Sequence, residues 1–118
     1  MRIINLTPHD IHVRPETGGA FRFPASGQVA RVAMRTIKAE PIGFIPTVRI
    51  EYGAAELPPS VDGEDHADGY IVSTMFADAY IRQHGDDGVM LLVPDSGPSA
   101  IREDGQIVAV RALIRRTP

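Results

Sequence analysis

The chain has 118 residues, 43% apolar and 23% charged, with 11 Gly, 10 Pro and no Cys or Trp, the make-up of one ordinary globular domain spanning 1–118. Lack of cysteine excludes disulfides, thiolate zinc sites, iron–sulfur clusters and cysteine nucleophiles. Twelve basic against fifteen acidic residues leave a formal charge of -3, without the basic excess of a general nucleic-acid or anionic-membrane binder.

The first half reads as short strands. Residues 3–6 (Ile-Ile-Asn-Leu) stop at Pro8, and residues 10–14 (Asp-Ile-His-Val-Arg) alternate with period two before Pro15, Gly18 and Gly19 turn the chain. Residues 28–32 follow a Pro-Ala-Ser-Gly turn, and residues 47–52 alternate cleanly, with Val48, Ile50 and Tyr52 expected to face inward and Arg49 and Glu51 outward. Between these two runs, Pro41, Gly43 and Pro46 are expected to bar any regular element. Gly53 to Asp68, with its Pro58-Pro59 pair and acidic run from Asp62, is expected to be a long acidic loop or flap, exposed to solvent.

The second half changes character. Residues 70–72 form a short β-branched run, after which Ser73 or Thr74 can cap an amphipathic helix at about 74–84, its apolar Phe76, Ala77, Tyr80 and Ile81 on one face and Gly85 at its end. Residues 89–93 are apolar on both faces, which suits a central strand, and residues 106–111 alternate toward Ile114. Strand, helix and buried strand can form a crossover; otherwise the helix caps antiparallel strands. The fold class expected is α+β: a β-rich small barrel or sandwich of about six to eight short strands with one helix.

Motifs for catalysis are sparse. No Gly-x-Ser-x-Gly elbow, Ser/Thr-x-x-Lys pair, P-loop or Gly-x-Gly-x-x-Gly occurs. A Ser96–His9–Asp95 triad fails on spacing, since the orienting carboxylate should reach the base from the side away from the nucleophile. Metal ligands are weakly suggested by Asp10 and His12, two apart and so on one strand face, and by His66 in the acidic run. His9 suits a turn, and His84 suits a helix C-terminus.

An anion site is the sharper possibility. A crossover would bring the helix start at Ser73 and Thr74 beside the turn Pro94-Asp95-Ser96-Gly97-Pro98, where free amides, hydroxyls and the Arg102 guanidinium could hold a phosphate or carboxylate, with His9 a further candidate. The plainer alternative is that Ser73 only caps, Asp95 and Ser96 only brace a turn, and Arg102 lies on the surface.

The segments Asn5-Leu6-Thr7-Pro8-His9, Pro24-Ala25-Ser26-Gly27, Tyr70-Ile71-Val72-Ser73 and Pro94-Asp95-Ser96-Gly97-Pro98 followed by Arg102 resemble small uncharacterised open reading frames of phages, prophages and actinobacteria. That resemblance implies a phage-type accessory product: a sponge for nucleotide-like signals of bacterial defence, an inhibitor of a host protein, or a particle component. The expectation is a non-enzymatic binder in the cytoplasm, the host's if phage-encoded. It would form a homo-oligomer that takes a small anionic ligand or a host protein, with no cofactor, no membrane span and no sequence-specific nucleic acid. A metal-assisted hydrolase is the enzymatic alternative.

Overall fold

A computed structural model describes residues 2–58 and 67–116. In chain order these form β1 (Ile3–Asn5), β2 (Ile11–Val13), β3 (Phe21–Phe23), β4 (Met34–Ile42), β5 (Ile45–Tyr52), β6 (Gly69–Ile71), α1 (Thr74–His84), β7 (Leu91–Pro94), β8 (Ile101–Glu103), β9 (Gln106–Ala109) and β10 (Leu113–Arg116). The β-dominated α+β class is as expected.

The crossover forms. β6, α1 and β7 build a parallel pair, with Tyr70 opposite Leu91 and Ile71 opposite Leu92. β1 adds in parallel to β6 and β10 antiparallel to β7, giving a sheet in the order β1-β6-β7-β10. α1 covers one face because Phe76, Ala77, Ala79 and Tyr80 fall on one stripe and meet Val72, Leu91 and Val93 from alternate sheet positions. Ala30, Leu6 and Ala55 close this core from the side, and Phe76, Ala55 and Val72 are fully buried. A smaller core of Val13, Ala100 and Val110, flanked by Ile11, Phe23 and Leu113, joins the β2–β3 and β8–β9 hairpins. At the second of these, Asp104 and Gly105, both at positive φ, make the two-residue turn that hairpins favour.

Three expectations are corrected. No barrel closes: the strands divide into one four-stranded and three two-stranded sheets, and single bridges such as Asn5 to Ala25 and Val13 to Val110 link them in place of continuous ladders. Residues 28–32 are not a strand, because they share one ladder-like bond with the sheet, Ala30 N–H to the Leu6 carbonyl at 2.9 Å. The stretch around Pro41, Gly43 and Pro46 is the longest hairpin among the described residues. Gly43, at φ 58, occupies the first position of its two-residue turn, the place where glycine is favoured. Pro41 falls where the register shifts, and both prolines sit on strands with a free outer edge, where a missing N–H costs no ladder bond.

Part of the acidic loop also departs from expectation. Residues 53–57 are held against the body, with Ala55 fully buried, whereas residues 59–66, including His66, lie outside the described residues.

Asn5 joins the layers. It is the buried polar residue of the described core; its Nδ2 donates to the carbonyls of His9 (2.7 Å) and Phe23 (2.8 Å), and its Oδ1 accepts from Thr7 N–H (2.9 Å) and Thr7 Oγ1 (2.7 Å). Removing the amide strands several partly buried polar groups at once. Asn5→Ala is therefore expected to lower unfolding stability by about 2–3 kcal/mol in urea titration; a loss below about 0.5 kcal/mol, the range of ordinary surface changes, would contradict this role.

Candidate functional site

The residues expected to form one anion site divide into two groups. Ser73, extended at φ -72 and ψ 156, caps α1 by accepting the Phe76 N–H at 3.1 Å, and Thr74 follows as the first helical residue. A cavity of about 260 Å³ opens at this helix start. Its wall is Leu6, Thr7 and Pro8 from the end of β1, residues 29–32, Ser73 and Met75, and it includes none of residues 94–102. Arg31 also lines it and has no hydrogen-bond or ion-pair partner among the described residues. Sequence reasoning did not place Arg31 there, since its position depends on the strap after β3 folding over Leu6.

The second group braces a turn. Asp95 accepts from the Gly97 N–H (3.4 Å) and the Ser99 hydroxyl (3.3 Å), while its own N–H donates to the Ala112 carbonyl. Arg102 folds back to donate to the carbonyls of Ser96 (3.0 Å), Gly97 (3.2 Å) and Ala100 (3.4 Å). Its two terminal nitrogens thus serve the loop between β7 and β8. His9 contributes its carbonyl, which accepts from Asn5 and from the Thr7 hydroxyl at 3.0 Å.

Asp10 accepts from Arg22 (2.7 Å) and from the Ala25 N–H (2.9 Å), and these contacts hold its carboxyl below the usual carboxylate range. His12 is exposed on β2 opposite Arg22. Among the described residues no group of three or more His, Asp or Glu converges as a metal site. No helix there is long and apolar enough to cross a membrane.

The prominent surface feature is the β4–β5 hairpin, which among the described residues shares a sheet with no other strand. Met34, Ile42, Phe44, Ile45, Val48 and Ile50 are each more than half exposed, and Phe44 at the turn is fully so; Val48 and Ile50, expected to face inward, thus face solvent, because their strand lies on a two-stranded hairpin and not in the main sheet. Cross-strand register puts Met34, Thr36 and Lys38 with Tyr52, Ile50 and Val48 on one face, and Arg35, Ile37 and Ala39 with Glu51, Arg49 and Thr47 on the other. The first face is apolar apart from Thr36 and Lys38; the second carries the Arg35–Glu51 ion pair at 2.7 Å. The Cα radius of gyration is 16.8 Å and the longest extent 54 Å, against roughly 13–14 Å for the radius of a compact chain this long. The signal for the arm's second strand was present in the alternation of residues 47–52, while the partner strand, whose residues 34–39 do not alternate, was masked by the prolines.

Comparison with known proteins adds no relative: no family model, no curated protein and no solved structure matches the chain.

The returning root of the arm is clamped to the end of α1. Gln83 donates to the Gly53 carbonyl and accepts the Ala55 N–H, both at 2.8 Å. His84 Nε2 lies 2.8 Å from the Ala55 carbonyl; a carbonyl can only accept, so Nε2 carries the proton. The Tyr80 ring stacks on His84 at 4.1 Å between centroids, and its hydroxyl donates to Asp87 at 2.5 Å. Burial and the Asp87 hydrogen bond push the Tyr80 phenol upward, and the same bond draws the Asp87 carboxyl downward. Unfolding releases both. The Asp87 contribution is complete at neutral pH and is lost as pH falls through its lowered value. Above about pH 10 the unfolded phenol ionises first, so stability declines. Tyr80→Phe is expected to cost about 1 kcal/mol at pH 7 and to flatten the alkaline decline in urea titrations across pH; an unchanged alkaline limb would contradict the assignment.

Proposed function

We propose that the protein is a non-catalytic binding protein that engages a protein partner through the β4–β5 arm. The observation that carries this reading is the exposure of six large apolar side chains on one two-stranded hairpin. A hairpin of two strands is marginal in water, and apolar patches of several hundred Å² mark interaction surfaces. Three of the six, Met34, Val48 and Ile50, share one face of the hairpin with Tyr52, opposite the face that carries the Arg35–Glu51 pair, and that apolar face is the side offered to a partner. This favours the inhibitor or particle-component role, which needs an exposed apolar surface.

A second reading, retention of a small anionic, nucleotide-like ligand, is supported by the cavity at the start of α1 and by Arg31 in its lining, which has no partner among the described residues. In that reading Ser73 and Arg31, which line the cavity, face the ligand, and Thr74 and Arg102 take no part.

A photoreactive amino acid placed at Val48 or Phe44 in the producing cell tests the arm. Discrete cross-linked adducts from these positions, and none from a probe at the exposed Arg14 outside the arm, are the expected outcome. Equal labelling from all positions, or none, would overturn the reading. A stoichiometric anionic adduct in native mass spectra, without cross-links from the arm, would favour ligand retention instead.

A further inference from the structure

We infer that the partner of the arm is a second copy of this chain, added antiparallel along the free edge of β5 about a two-fold axis at Ile50. This rests on the arm being the docking element and names what docks there. The resulting sheet would run β4-β5 in one copy and β5-β4 in the next.

The two edges of the arm are not equivalent. β4 carries a register shift between Ala39 and Ile42, with Pro41 inside it and Lys38 just before it, the devices that discourage strand addition. β5 has only Pro46 near the turn, and from Thr47 to Tyr52 its register is unbroken. Strand addition is thus directed to β5. A four-stranded assembly also passes the size at which a β-sheet becomes stable, which the lone hairpin does not.

Symmetry then selects both occupant and register. With the two-fold normal to the sheet, like faces align only when the axis passes through a residue, so opposed residue numbers add to twice that residue's number. An axis at Arg49 sets arginine against arginine. An axis at Val48 sets Arg49 beside Thr47 and Glu51 beside Ile45, with no charge pair. An axis at Ile50 sets Arg49 of each copy opposite Glu51 of the other, and Val48 opposite Tyr52 on the apolar face. Cross-strand opposite charges and aromatic–β-branched pairs are the favourable combinations. The groups needed are available: Arg49 has no partner among the described residues, and Arg35 occupies only Oε1 of Glu51, leaving Oε2 for the second copy. β5 is complementary to itself in this one register.

The absence of cysteine makes the test clean. Native mass spectrometry of the intact chain, 12.8 kDa as monomer, is expected to show a two-chain species, and exposed Arg49→Glu to weaken the association at least tenfold by putting like charges opposite. Ile50→Cys introduces a single thiol that lies opposite itself, at the roughly 4.5–5.5 Å between Cα atoms that a disulfide can span. Mild oxidation is expected to link it as a dimer, while Thr36→Cys, on the same face but on β4, stays at least tenfold less linked. Unaltered association in Arg49→Glu, or equal linkage at Thr36→Cys, overturns the register. A monomeric wild-type chain whose arm still forms adducts with a different protein overturns self-association and keeps the arm; a monomer without arm adducts overturns both.

Discussion

The described structure depends on the satisfaction of one buried amide. Asn5 pairs through its backbone with Ile71 in the central sheet, and its side chain ties down the Thr7–His9 turn and the end of β3. Its carbonyl accepts the Ser26 N–H at 3.2 Å, and the next residue repeats the pattern, Leu6 bonding Ile71 on one side and Ala30 on the other. A buried amide with both donors and both acceptor sites used is far costlier to disturb than an exposed one. This knot therefore sets the path of residues 24–33 across the start of α1, places Arg31 in the cavity lining, and fixes where the arm leaves the body.

The arm and the body are held together by different physics. The body is a sheet filled on one face by Phe76, Leu91 and Val93, with Leu113 of β10 packed against the smaller Val13–Val110 core, so its stability comes from burial. The arm has a ladder and a turn, and its apolar residues point into solvent. Its one root is set by the strap that Asn5 organises; the other is clamped by Gln83 and His84. Fixed roots with an unsatisfied apolar face make a rigidly mounted docking element, which lowers the ordering cost of association.

Legibility in the sequence followed the range of the interactions. The helix and both of its ends, Ser73 and Gly85, were readable because periodicity and capping are local. The parallel partners of that helix followed from short apolar runs on either side. Asn5 was not singled out, since what makes it structural is burial by segments about twenty residues and more away. The arm was hidden because Pro41, Gly43 and Pro46 act as breakers in a closed sheet but are tolerated on free edges and required in a tight turn. The grouping of Ser73 with Arg102 assumed that proximity along adjacent parallel strands brings side chains together; Arg102 found nearer acceptors in its own loop. Arg31 was legible only as one of several scattered arginines that suit an anionic ligand; its place beside Ser73 depends on the strap, a tertiary effect with no local signature.

The central claim is that the body folds on its own burial whereas the arm is completed by association. Residue-resolved amide hydrogen exchange across a wide range of protein concentration tests it directly. The account predicts protection in β6, α1 and β7 that is independent of concentration, and protection along the outer edge of β5 that rises as the chain associates. Arm amides protected to the same degree at every concentration in a monomeric chain would contradict it.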